Sequence, residues 1–256
     1  MPHKFKILEL SFFLLGIFLV LLYLFLFNLN TTTLNLQLKI CDNFTHPTTK
    51  IICYAFYLEN ESFCRLASNF ESICYDFVLT KKANEMYCKT LKDKYLQAIC
   101  IKNLAMKRKD PSLCEKNLDQ KFYEFCFSGL PLSFYKFYKK EYCENITHES
   151  GKYTCLAIVE RNESYCENIV FELFEKPICE AVAKRNSTLC NSDSCYYQFA
   201  IFTKNLSYCE KIEESFSKAE CIGTISKNLK ECEKFESLFL KEICELYVLK
   251  ALELEK

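Results

Sequence analysis

The chain has 256 residues, with 33 acidic and 33 basic side chains, 50% hydrophobic residues, 18 cysteines, four glycines and five prolines. The charge balance excludes a general field that would draw in nucleic acid or an acidic membrane face. So few glycines and prolines argue against the many tight turns of a β-sandwich and favour helices.

In chain order, the first signal is apolar. Residues 10–27 carry no charge over 18 positions, a length of about 27 Å as a helix, close to the thickness of a bilayer core. With Ile7 and Leu8 just upstream, residues 7–27 are expected to form an uncleaved transmembrane signal anchor. Lys4 and Lys6 precede it and nothing basic follows until Lys39. The positive-inside rule therefore puts residues 1–6 in the cytoplasm, with a linker over 28–37 and a helical-repeat domain over 38–256 outside. A cleaved signal peptide is the alternative, but residues Leu22 to Thr33 hold no small-x-small site. Either way the cysteines are expected in an oxidising compartment.

The remainder reads as a repeat. Taken in order, the cysteines form nine pairs: Cys41/Cys53, Cys64/Cys74, Cys88/Cys100, Cys114/Cys126, Cys143/Cys155, Cys166/Cys179, Cys190/Cys195, Cys209/Cys221 and Cys232/Cys244. Seven of these spacings are 12 or 13, whereas the gaps between pairs vary from 11 to 17. A near-constant spacing at a period of 19–29 residues points to stacked supersecondary units stapled by disulfides. Bonding across the variable gaps is the competing connectivity. No two Cys-x-x-Cys knuckles occur and only His46 and His148 lie beyond the anchor, so neither metal nor cofactor is expected.

Apolar residues mark the buried faces. Three positions after the first cysteine stand Phe44, Ala67, Leu91, Ile146, Ile169, Ile212 and Phe235. Four positions after the second stand Tyr57, Val78, Leu104, Leu130, Val159, Ala183, Phe199, Ile225 and Val248. The pattern predicts an αα-hairpin per unit, a short helix followed by a longer one, with both cysteines facing each other across the turn. The fold class expected is all-α, an α-solenoid of about nine hairpins.

The helix ends carry signals of their own. Ser112, Ser164 and Ser207, each with Glu three residues later, match a capping box and would start the first helix two residues before its cysteine. Asn or Asp four residues before the cysteine, as at Asn162, Asn186 and Asn205, is expected to end the preceding helix in the left-handed conformation.

Two places depart from the pattern. Cys190 and Cys195 enclose only Asn-Ser-Asp-Ser, so the first helix of that unit is expected to collapse to a turn. Between 127 and 142, Gly129 and Pro131 interrupt the second helix and mark a break in the array. There Phe134, Tyr135, Lys136, Phe137, Tyr138, Lys139, Lys140 and Tyr142 interleave rings with bases. This stretch is the candidate interaction patch, against the plainer reading of rings packed inward and lysines solvated. Sequons at Asn43, Asn60, Asn145, Asn162, Asn186 and Asn205, with one more at Asn30, are candidate glycosylation sites. Four occupy the same repeat position, where capping alone would generate the motif.

The recurring Asn/Asp-x-Ser-x-Cys-Glu-x-Ile, followed by Cys-x-x-x-apolar-Ala, is carried best by Asn205 to Ala219 and Asn162 to Ala183. It resembles cysteine-rich helical repeats of uncharacterised, exported or membrane-anchored archaeal proteins. The resemblance implies a disulfide-stapled helical array and carries no activity. The expected function is therefore a non-enzymatic binding or scaffold module at the cell surface, with a protein or glycan partner and the membrane through its N-terminal helix. Alternatives are an extracytoplasmic hydrolase, for which the chain holds no Gly-x-Ser-x-Gly or His-Glu-x-x-His, or a thiol redox or metal-storage protein.

Overall fold

The computed structural model describes residues 35, 37–119, 122, 123, 125, 126, 130, 132–144, 146–170 and 175–255. The expected anchor at 7–27 lies outside them, and among the described residues no helix is long and apolar enough to cross a membrane. The chain divides into two units, residues 1–45 and 46–256, so that 38–45 group with the first unit rather than with the repeats that follow. In the first unit residues 37–42 are helical. The N–H groups of Asn43 and Phe44 close that helix on the carbonyls of Ile40 and Cys41, at 3.2 Å each.

All regular structure among the described residues of the second unit is helical. Its longer helices are α1 (Pro47–Leu58), α2 (Glu71–Lys82), α3 (Lys94–Arg108), α4 (Glu149–Glu160), α5 (Glu175–Lys184), α6 (Asp193–Thr203), α7 (Ser215–Ser226) and α8 (Leu238–Glu253). Each holds the second cysteine of its pair. Most first cysteines sit on short helices, which are 3₁₀ in four units, as at Glu163–Asn168, Leu206–Lys211 and Leu229–Lys234. Ile169, Ile212 and Phe235 end these three in extended backbone, each donating its N–H to the carbonyl of the first cysteine.

The junctions differ from the sequence expectation in a specific way. The left-handed residue is the one before the Asn or Asp: Glu59, Lys109, Arg161, Arg185, Lys204 and Lys227, with φ between 51° and 57°. Except at Asn228, whose N–H goes to the Ser226 hydroxyl, the following Asn or Asp does two jobs at once. Its N–H returns to the helix just ended, for example Asn162 to the carbonyl of Ala157 at 3.1 Å and Asn205 to that of Ala200 at 3.2 Å, the longer bond of a Schellman motif. Its side chain then caps the next helix, accepting from Ser164 N–H at 3.1 Å or Ser207 N–H at 3.0 Å. Asp110 likewise accepts from Ser112 N–H at 3.0 Å. The serines of the expected capping boxes are therefore inside the helix. The two shared bonds offset the cost of placing a residue with a β-carbon in the left-handed region.

Within the second unit the bridges are Cys64–Cys74, Cys88–Cys100, Cys114–Cys126, Cys143–Cys155, Cys166–Cys179, Cys190–Cys195, Cys209–Cys221 and Cys232–Cys244, with Cα separations of 5.3–5.8 Å. Cys41 and Cys53 are also disulfide-bonded, and no described cysteine is free. The bonded spacing is the constant one. In the unit of Cys190 a single 3₁₀ turn, Ser187–Leu189, replaces the first helix, and α6 begins only two residues before Cys195.

Successive long helices pack side by side, α1 on α2, α2 on α3, α4 on α5 and onward to α8, and α8 then packs on α1 and α2. An open stack of hairpins with an extended groove is thus not what forms in residues 46–256: the last hairpin returns to the first two. The tightest pair is α7 with α8, and Gly223 makes it so. A β-carbon there would stand 2.3 Å from the Cys244 carbonyl oxygen and 2.7 Å from Tyr247 Cβ.

Candidate functional site

The residue two places after each second cysteine decides what the interior of this closed array holds. In four units it is small and buried: Ala55, Ala157, Ala181 and Gly223. In three it is Asp76, Lys102 or Tyr197. Because the array returns on itself, these positions on α2, α3 and α6 are brought together with α7 and α8. They line a cavity of about 120 Å³ with Glu220, Tyr247 and Lys250.

Asp76 is the centre of the cluster. Lys102 Nζ lies 2.9 Å from its carboxylate, Lys250 Nζ donates to the other oxygen, and Asn103 Nδ2 donates to Oδ1 at 3.0 Å. Asn103 is itself fully buried and is held by Thr80, whose hydroxyl donates to Asn103 Oδ1 at 3.0 Å. Burial by itself would raise the Asp76 carboxyl, but Lys102 and Lys250 outweigh it and hold the group well below the usual carboxylate range. Burial pulls the Lys250 ammonium below its usual range, and Asp76 opposes that pull. Lys250 also lies over the rings of Phe77 and Tyr247, at 5.3 and 5.8 Å.

Glu220 is the opposite case. It accepts from the Tyr197 hydroxyl at 3.2 Å. Burial raises its carboxyl above the ordinary value, the Lys250 charge resists, and the Asp76 charge adds to the rise. Burial likewise pushes the phenols of Tyr197 and Tyr247 well above theirs. One cavity therefore holds a carboxylate that stays ionised and a carboxyl that takes up a proton more readily than usual.

Neither a protein-family model nor a curated protein nor a solved structure matches the chain.

The residues singled out from sequence fall elsewhere. Of the candidate patch, Tyr135 is buried, and Phe134, Tyr138 and Tyr142 are half-buried against the hydrophobic core. The Tyr138 and Tyr142 rings sit 4.3 Å apart. Lys139 is exposed and Lys140 faces Glu160 at 3.7 Å. The side chains of Lys136 and Phe137 lie outside those described. The rings of Phe134, Tyr135, Tyr138 and Tyr142 are packing, because rings at helical spacing bury more apolar area inward than an exposed face would allow. Nearby, burial pushes the Tyr123 phenol up to about 12.

Among the candidate glycosylation sites, Asn43, Asn60, Asn162, Asn186 and Asn205 are exposed, and Asn145 lies outside the described residues. Asn60, Asn162, Asn186 and Asn205 use the side-chain oxygen as a cap acceptor. Asp193, beside the shortest bridge, accepts from the N–H groups of Glu213 and Glu214 at 3.0 and 2.9 Å, so it fixes the turn of the next unit. His148 caps α4, accepting from Gly151 N–H at 3.1 Å. Among the described residues no group of three or more His, Cys, Asp or Glu is placed to hold a metal ion.

Sequence reasoning missed the central cluster altogether. The signal that finds it is the break in the small residues two places after the second cysteine.

Proposed function

We propose that the chain is an extracytoplasmic helical-repeat module, anchored by residues 7–27 with its N-terminus in the cytoplasm, that binds a protein or glycan partner at the cell surface without chemistry of its own. The observation that carries this reading is the covalent framework. Every described cysteine is oxidised, and each bridge of the second unit closes one hairpin. Such a framework suits an oxidising compartment and gives a binding surface little conformational entropy to lose. The closing contacts of α8 with α1 and α2 add to that rigidity. Asp76 supports the reading too, since three donors already occupy its carboxylate and leave it a poor nucleophile or base.

The test is chemical cross-linking of the full-length protein in its native membranes, with protease protection of the same membranes to give the topology. A discrete envelope component joined to the repeat domain, with that domain on the outer side, is the expected result. A repeat domain facing the cytoplasm, or free thiols on the unreduced protein, would overturn it.

A second reading, an extracytoplasmic hydrolase, draws on the pair of carboxyls in the central cavity that are pushed in opposite directions, the arrangement that separates an acid from a base. Turnover of a glycoside or ester by the full-length protein, lost in Glu220→Gln, would favour it over binding alone.

A further inference from the structure

A second cavity, which shares Gln198 with the lining of the charged one, is bordered by α4, α5 and α6 and has a volume of about 320 Å³. Leu130, Leu132 and Ile178 form its apolar wall and the buried Tyr135 contributes a ring. Its polar end is unusual. Glu175 Oε2 and Gln198 Oε1 are both sealed from solvent, and among the described residues neither meets a donor.

Glu175 and Gln198, one a carboxylate and one an amide, both line this space. An acceptor removed from water without a donor costs free energy, and an ionised one costs more. The space is of the size that small-molecule sites occupy, and its lining joins apolar side chains to polar ones that can orient a guest, with His148, Ser150, Thr154 and Ser194 beside Glu175 and Gln198. A bare divalent cation does not fit the chemistry, since one carboxylate and one amide fall far short of the six to eight oxygens calcium takes. A guest complementary to this end carries N–H donors and a positive charge, and its body is apolar.

We propose that this cavity binds a small organic ammonium, its N–H groups donating to Glu175 and Gln198 and its hydrocarbon part lying on Leu130, Leu132, Ile178 and Tyr135. The proposal stands apart from the cell-surface reading, since it concerns the interior of the repeat domain and not its partner. The same ammonium can arrive as a free amine or as the side chain of a lysine on another chain.

Titration calorimetry on the full chain in detergent tests it, with n-butylamine, benzylamine and phenethylamine as probes. Benzyl alcohol serves as the uncharged control and Nα-acetyl-lysine amide as the peptide form. At least one amine should bind while benzyl alcohol does not, and Glu175→Gln should weaken that amine about tenfold or more, as expected for loss of a charge-assisted hydrogen bond. Binding by the lysine derivative and not by the free amines would assign the guest to a partner chain, with the recognition chemistry intact. Thermal melting of Glu175→Gln without ligand checks that the variant is folded, and Gln198→Glu, which adds a second carboxylate, should strengthen binding. Equal binding of amine and alcohol, unchanged affinity in Glu175→Gln, or no amine bound at millimolar concentration would each overturn the proposal, the last leaving a cavity that holds water only.

Discussion

The carboxylate of Glu242 on α8 accepts a hydrogen bond from the backbone N–H of His46 at 3.1 Å, across 196 residues of chain. The Thr49 hydroxyl donates to the same carboxylate. A residue of the last hairpin thus supplies the cap that the first turn of α1 lacks, since His46 makes no side-chain cap of its own and no acid stands in that turn. The negative charge also complements the positive end of the helix. The Phe239 ring, one turn earlier on α8, packs on His46 at 4.7 Å.

Glu242→Ala should therefore act on α1, far away in sequence. It leaves the His46 N–H without its acceptor, while the Thr49 hydroxyl keeps the His46 carbonyl at 2.9 Å, at a cost of about 1 kcal/mol. Hydrogen exchange should speed up first in residues 46–50. Uniform acceleration across all the helices, with none specific to α1, would show that the contact closes nothing.

Asp76 predicts an acid-sensitive stability. Its carboxyl is lower in the folded protein than in the unfolded chain, so the folded state binds fewer protons in acid. The stabilisation is full above the unfolded value near pH 4 and is lost as pH falls through the folded value. Asp76→Asn removes one partner from Lys102 and Lys250 and should cost about 3 kcal/mol near neutrality. Urea unfolding should show a much smaller acid dependence in the variant than in the parent, and parallel pH curves would contradict the assignment.

Glu220 predicts the reverse sign. Its carboxyl is raised on folding, so the folded state holds the proton longer and stability declines as pH rises from the unfolded to the folded value. Glu220→Gln removes that penalty and keeps an oxygen for the Tyr197 hydroxyl. It should raise the melting temperature near pH 8 and leave it unchanged near pH 4, below the unfolded value. Destabilisation near pH 8 would mean that the ionised carboxylate is needed to balance Lys250.

Gly223→Ala tests the seam between α7 and α8. The added methyl would meet the Cys244 carbonyl and Tyr247 Cβ, both on the backbone side of α8 and unable to swing away. Overpacking of this kind costs about 1–3 kcal/mol. Because Tyr247 lines the central cavity, its fluorescence should change along with the melting temperature, and a neutral substitution would show that α7 and α8 part readily enough to admit a methyl group.

The bridges make a prediction for the repeat as a unit. Replacing Cys209 and Cys221 together by alanine opens a loop whose closure contributes roughly 3 kcal/mol in the chain-entropy model. Helical circular dichroism at moderate urea should fall in that variant and fall further on full reduction. Helicity that survives complete reduction would assign the stability to packing instead.

What the amino-acid order determined by itself is the hairpin and its ends. Cysteines at near-constant separation, apolar residues three and four places beyond them, and Asn before each short helix are local features, fixed by chain geometry within about two dozen residues. Even there one detail differs from what the sequence pattern predicts. Asn162 and its equivalents share two helices, and the left-handed conformation falls to Arg161 and its equivalents, because the Asn must stay extended for its side chain to reach forward as a cap. The tertiary structure alone decided that α8 comes back to α1 and α2. The curvature that closes an array accumulates from small rotations at each seam, such as the one Gly223 permits, and no single repeat records the sum. With that closure, Asp76, Lys102, Glu220 and Lys250 become neighbours, although their spacing along the chain has no chemical pattern to read.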